Sequence, residues 1–103
     1  MKLIVIPNFG NRVSPRIDCS ENLQLVSIED KRIISRETIR IPAHSLLERI
    51  NMIIRLRPDI VICDGISTLM NDKLSENDIK VIPWIHGNID EILNDYLNGK
   101  LNI

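Results

Sequence analysis

Four side chains in this 103-residue chain carry thiol or imidazole chemistry: Cys19, His44, Cys63 and His86. A thiolate suits soft metals and iron-sulfur clusters, and an imidazole suits iron, zinc or copper. Their spacing is open, with no CxxC or HxxxH pair to mark a closed zinc site. Two cysteines also make no disulfide framework for a domain with this much apolar sequence. Nucleophilic catalysis finds no support, because no Ser-His-Asp or Cys-His arrangement is evident by spacing. Asp64, next to Cys63, would raise a thiol pKa rather than activate it.

Cys63 stands in VICDGIS, residues 61–67, where a β-branched run empties into a turn ahead of a helix. Two readings of it are open. It is a ligand at the mouth of a binding loop, or it is the buried last residue of a core strand, where a free cysteine acts as a small hydrophobe. The turn carries one glycine, Gly65, and an acid, Asp64, whereas an anion-cradling loop commonly has several glycines.

The elements that must position these groups follow from periodicity. LIVI (3–6) reads as a first strand, apolar on both faces and stopped by Pro7, and a polar loop carrying Cys19 follows. LQLVSI (23–28) and IISRETIRI (33–41) read as a second and third strand around a turn at 29–32. Arg36 and Arg40 share one face of the third strand, whose length and charge suit a sheet edge. Leu46, Leu47, Ile50, Ile53 and Ile54 form the stripe of a helix, with Ser45 and Glu48 as a capping box and Pro58 as the stop. IVIC is a fourth strand, 66–74 a weaker helix, and KVIP a fifth strand. A last helix starts at Asn88 and closes at Gly99.

The order β-β-β-α-β-α-β-α and right-handed crossovers predict a mixed five-stranded sheet ordered 3-2-1-4-5. Strand 2 is antiparallel and helices cover both faces, which is the ribonuclease H-like α/β arrangement. The carboxyl ends of strands 1, 3, 4 and 5 then share one edge, where open α/β sheets bind ligands. All four Cys and His residues fall on that edge. Neighbouring strands lie about 4.8 Å apart, so Cys63 and His86 could meet at one centre and Cys19 could swing over. His44 leaves the far strand, roughly 14 Å away, so one small ion could not collect all four. A large cluster or a partner subunit could.

Length and composition predict one domain over residues 1–103 with an ordinary globular balance, 44% hydrophobic and 26% charged. A net charge of −1 gives no footprint for nucleic acid, and no apolar run approaches the roughly 18 residues that span a bilayer. MKLIVIPNFG is expected to be a first strand of a cytoplasmic protein rather than a leader peptide. Charge is uneven: residues 31–57 hold seven Lys/Arg against two acids, and residues 58–103 hold three against eight. That split is either two solvated faces or a docking surface for an anionic ligand or a partner of opposite sign.

Taken together, IPNFGNRVSP, the hairpin ending SRETI, VICDGIS, IKVIPWIHGNIDEIL and the closing YLNGKL resemble the dinitrogenase iron-molybdenum cofactor-binding family. This family comprises small carrier and accessory proteins of nitrogenase cofactor assembly, and the resemblance covers nearly the whole chain. It implies the same ribonuclease H-like fold and the holding of an iron-molybdenum cofactor or iron-sulfur cluster through loop residues. With the shared sheet edge, this makes Cys63, Gly65, Cys19, Arg16 and Ser14 the candidate cofactor-binding positions, and Cys63, His86, Cys19 and His44 the candidate metal ligands. After RVSP the family commonly has His-Phe-Gly, where this chain has Arg16, Ile17 and Asp18. After the strand-4 cysteine it has a Gly-Gly-Ile-Gly-Pro-Gly run, where this chain has Asp64, Gly65, Ile66, Ser67, Thr68 and Leu69.

Three functions follow as expectations. The first is a non-catalytic carrier whose partners are metallocofactor assembly or acceptor proteins, acting as a monomer or homodimer. The second is a regulatory or protein-interaction module that keeps the scaffold without the cluster. The third, a nuclease-type enzyme, needs several carboxylates at the sheet centre, yet LIVI offers none and strand 4 only Asp59 and Asp64 at its two ends. No enzyme activity is expected.

Overall fold

The computed structural model describes residues 1–41 and 45–101 of the chain, so the expected ligand His44 lies outside the described residues. Six strands and three α-helices follow in order: β1 (Lys2–Phe9), β2 (Arg12–Val13), β3 (Asn22–Glu29), β4 (Arg32–Arg40), α1 (Leu46–Leu56), β5 (Ile60–Ile62), α2 (Thr68–Glu76), β6 (Lys80–Ile82) and α3 (Ile89–Leu97). The main sheet runs β4-β3-β1-β5-β6, with β2 paired to the end of β1 off this path. β3 is antiparallel to β1 and β4, whereas β5 and β6 run parallel to β1.

The sheet therefore has six strands where five were expected, because the polar loop after the first strand is partly ordered. Pro7 does not stop β1. The backbone groups of Leu3 and Pro7 face the β5 side, since Asp59 N donates to Leu3 O at 2.9 Å and Ser14 N donates to Pro7 O at 2.9 Å. Pairing with β5 ends at Val5–Val61, so the N–H that proline lacks is missed by no partner, and β1 continues against β3 through Pro7–Leu23. Asn8 and Phe9 then turn into β2 through a tight hairpin, Asn8 pairing Val13 and Phe9 pairing Arg12. The β3–β4 turn is two residues, Asp30 and Lys31, both at positive φ (51° and 61°), the twist that suits a right-handed hairpin.

The capping signals are realised as hydrogen bonds. Ser45 Oγ accepts from Glu48 N at 3.1 Å, and Asn88 Oδ1 accepts from Glu91 N at 3.2 Å. Arg57 in the left-handed region (φ 53°) ends α1 one residue before Pro58. α2 starts at Thr68 rather than Ile66, because Ser67 Oγ takes the Met70 N–H and so acts as the N-cap.

Alternation along the inner strands divides the core in two. Val5, Leu23, Leu25, Val61 and Cys63 face α1 and α2, packing on Ile50, Ile53, Met70 and Leu74. Ile4, Ile6, Val26, Ile60, Ile62 and Ile82 face α3, packing on Ile89, Ile92 and Leu93. Each such burial contributes about 1.5–3 kcal/mol, and the two buried polar side chains on the inner strands, Asn8 and Gln24, are each hydrogen-bonded. β4, at the end of the sheet, is exposed along nearly its whole length.

Candidate functional site: the rim beyond β1, β5 and β6

Three loops meet where β1, β5 and β6 end, and backbone hydrogen bonds knit them together. Cys63 N donates to Ile82 O at 3.1 Å and Ile85 N donates to Cys63 O at 2.9 Å, tying the end of β5 to the loop after β6. Trp84 N donates to Asp64 O at 3.0 Å, and Val13 N donates to Gly87 O at 3.0 Å. His86 is therefore held between a residue bonded to Cys63 and a residue bonded to β2. The sheet order thus places the Cys63 and His86 loops side by side, with Cys19 on the third loop of the same rim.

The loop after β2 closes over the end of β5. Gly65 N donates to Pro15 O at 2.9 Å and Ile17 N donates to Gly65 O at 3.0 Å, an isolated parallel bridge centred on Arg16 and Gly65. Gly65 is required for this approach rather than for a special backbone angle: a Cβ there would lie 2.9 Å from Pro15 O and 3.3 Å from Arg16 Cγ. Ile17 is buried beneath the loop within the same core cluster as Cys63. Asp18 completes the closure. Arg16 Nη2 donates to Asp18 Oδ2 at 2.7 Å, and Ser67 N, just ahead of α2, donates to Asp18 Oδ1 at 3.4 Å. The chain's own carboxylate thus sits at the helix N-terminus, where the dipole favours negative charge.

The candidate residues differ sharply in access. Cys63 has no exposed surface, and its thiol pKa is pushed up to about 12, by burial first and then by the nearby Asp18 and Asp64 carboxylates. It stays protonated at neutral pH. Ser14 is buried and its Oγ donates to Arg16 O at 3.5 Å, supporting the turn. Gly65 is buried, whereas Cys19, Arg16 and His86 reach the surface. Among the described residues, no group of three or more His, Cys, Asp and Glu side chains is placed to hold a metal ion. In this closed arrangement the residues present do not assemble a ligand shell.

Asp59, an acid that a nuclease would have to use, has a structural partner: its Oδ2 accepts from Leu3 N at 2.8 Å at the far end of β5. Two features of the rim escaped the sequence reading. Asp18 stands in RVSPRID, but its contact with Ser67 spans 49 residues and has no local signal. Trp84 is 67% exposed with φ at +63°, a conformation that Pro83 and Ile85 do not announce.

No protein-family model matches the chain, and no curated protein does either. Solved structures do. The crystal structure of PH0822 superposes with a TM-score of 0.91 at 23% identity, over 98% of this chain and 93% of that one. A "putative dinitrogenase" (MJ0327) from Methanocaldococcus jannaschii gives 0.83 at 18% identity, over 98% and 92%. The apo form of the orange protein from Desulfovibrio gigas gives 0.80 at 13% identity, over 100% and 92%. At these identities the likeness is one of fold. This chain shares the mixed α/β fold of those proteins over nearly its entire length.

Proposed function

We propose that this protein is a small non-catalytic accessory protein of metallocofactor assembly, which takes up an iron-molybdenum or iron-sulfur cluster as cargo at the rim beyond β1, β5 and β6. We assign its sheet to the ribonuclease H-like class. One observation carries the reading: the loops bearing Cys19, Cys63 and His86 are joined by direct backbone hydrogen bonds at one rim. The whole-chain fold shared with the MJ0327 protein and the orange protein supports it. Cys63 would supply a thiolate, Cys19 and His86 the further ligands from adjoining loops, and Arg16 a charge opposite to that of an anionic cluster. The partners would be the proteins that build or accept such a cargo. Purified without oxygen and supplied with iron and sulfide, the wild-type chain is expected to gain visible absorption and bound iron that Cys63→Ala lacks. Equal iron contents and spectra for the two would refute the reading.

A second reading is favoured by the Asp18 carboxylate at α2, held there by Arg16. The chain then keeps the scaffold while its own side chains fill the cargo position, and it acts as a protein-interaction module. This reading predicts no iron uptake and an association state that weakens as salt rises, measured by sedimentation.

A further inference from the structure

The segment 15–19 is attached to the rest of the molecule in an unusual way. Its two ends are anchored independently of its middle: Ser14 N bonds Pro7 O at 2.9 Å, and past the other end Ser20 Oγ bonds Asn22 O at 2.7 Å while Arg49 donates to Ser20 O. Apart from bonds to the flanking Ser14 and Ser20, every hydrogen bond that leaves the segment, among the described residues, joins it to the loop just after Cys63. Gly65 makes two, donating to Pro15 O and accepting from Ile17 N, and Ser67 N donates one to Asp18. The segment contributes one fully buried apolar side chain, Ile17, and it brings Asp18 within electrostatic reach of the Cys63 thiol. The hydrogen bonds are local to one strip and none belongs to a sheet ladder between the main strands, so Ile17 is the segment's one anchor in the core cluster.

We propose that residues 15–19 are a strap that opens as a unit about Ser14 and Ser20, and that this opening, with the sheet intact, is what makes Cys63 reachable. Opening withdraws Ile17 and Asp18 together. It frees the Gly65 and Ser67 N–H groups in the same movement that uncovers the thiol, so a soft ligand position and two donors become available at once. An anionic cargo competes with Asp18 for the Ser67 N–H and with Pro15 O for the Gly65 N–H, and the Asp18 carboxylate helps to keep the rim shut in its absence. This deepens the cargo reading above by saying when Cys63 is available, but its test needs no metal, so the two can fail separately.

The test uses the full chain carrying Cys19→Ser, which leaves Cys63 as the single thiol, and follows its reaction with Ellman's reagent at pH 8. The expected rate is slow and nearly independent of urea well below the unfolding midpoint, as for a local opening. Asp18→Asn is expected to accelerate it at least tenfold with the same flat urea dependence. Gly65→Ala, which drives a methyl into Pro15 O, is expected to do likewise. Amide exchange is expected to quicken at Ile17 and Gly65 while Val5 and Val61 stay protected. A Cys63 rate that rises with urea as steeply as global unfolding, in either background, would overturn the proposal. An unchanged rate in both variants would do the same.

Discussion

Gly65 N donates to Pro15 O at 2.9 Å, and a methyl group added to Gly65 would meet that same oxygen at 2.9 Å. The bond and the clash are two sides of one close approach, because only a residue without a side chain lets the two loops touch. Gly65→Ala is expected to cost about 1–3 kcal/mol, the usual range for overpacking a closed contact. Urea unfolding followed by circular dichroism measures it. Gly10 is the contrast: nothing lies within 4 Å of its Cβ position, but its φ is +62°. Gly10→Ala should cost about 1 kcal/mol through the backbone alone.

The burial of Cys63 predicts how stability depends on alkaline pH. Its folded pKa is about 12, above the ordinary thiol value, so the folded state holds the proton more tightly than the unfolded chain. The associated stabilisation is complete below the unfolded value of about 8.5 and is lost as pH rises through the folded one. Wild type should therefore lose up to about 1.4 kcal/mol per pH unit from this group between about pH 9 and 12. Cys63→Ala should lack that slope, and the difference between the two urea-unfolding curves against pH isolates it from other titrations.

Arg36 and Asp90 predict an effect at the acid end. Asp90 accepts from Arg36 and, at 3.0 Å, from Asn11 Nδ2, while Arg36 also donates to Gln24 Oε1 at 3.1 and 2.7 Å. This chain of bonds ties α3 to the β1–β2 hairpin and to β3 and β4. The Arg36 hydrogen bond, then Asn11, hold the Asp90 carboxyl below the usual range. Its contribution is present above the unfolded carboxylate pKa and disappears as pH falls through the lowered folded value. Asp90→Asn should lower the urea midpoint at pH 7. The gap from wild type should begin to shrink below about pH 4.

Trp84 is the single tryptophan of the chain, 67% exposed and held at φ +63°. A bulky side chain in that region costs about 1 kcal/mol, and its exposure leaves little packing to offset the cost. Trp84→Gly is expected to leave stability within about 1 kcal/mol of wild type, since relief of strain and loss of chain stiffness oppose each other. In the wild-type chain its emission should be red-shifted and readily quenched by acrylamide. Because its backbone N–H donates to Asp64 O on the loop after Cys63, that emission should report occupancy of the rim by cargo or partner.

Much of the frame was legible from local rules. The period-two runs at 23–28 and 33–41, the helical stripe from Leu46 to Ile54 and the cap pairs Ser45–Glu48 and Asn88–Glu91 all depend on residues a few positions apart, and each appears as an element or a cap. The misreadings came where a distant partner decides. Pro7 stays in β1 because β5 has already ended beside it, and Ser67 rather than Ile66 opens α2 because its hydroxyl takes the Met70 amide.

The order of the elements along the chain was enough to determined which loops could share a rim, since right-handed crossovers leave few ways to lay five strands side by side. Whether the groups on that rim are open or covered was decided by tertiary structure alone. Asp18 reaches Ser67 at 3.4 Å and Pro15 reaches Gly65 at 2.9 Å across about fifty residues of chain, and no local sequence signal sets either approach. A sequence carries residue types and their periods, and these specify faces and turns. The burial of a thiol is set by the chain that folds over it, and that chain comes from elsewhere in the sequence.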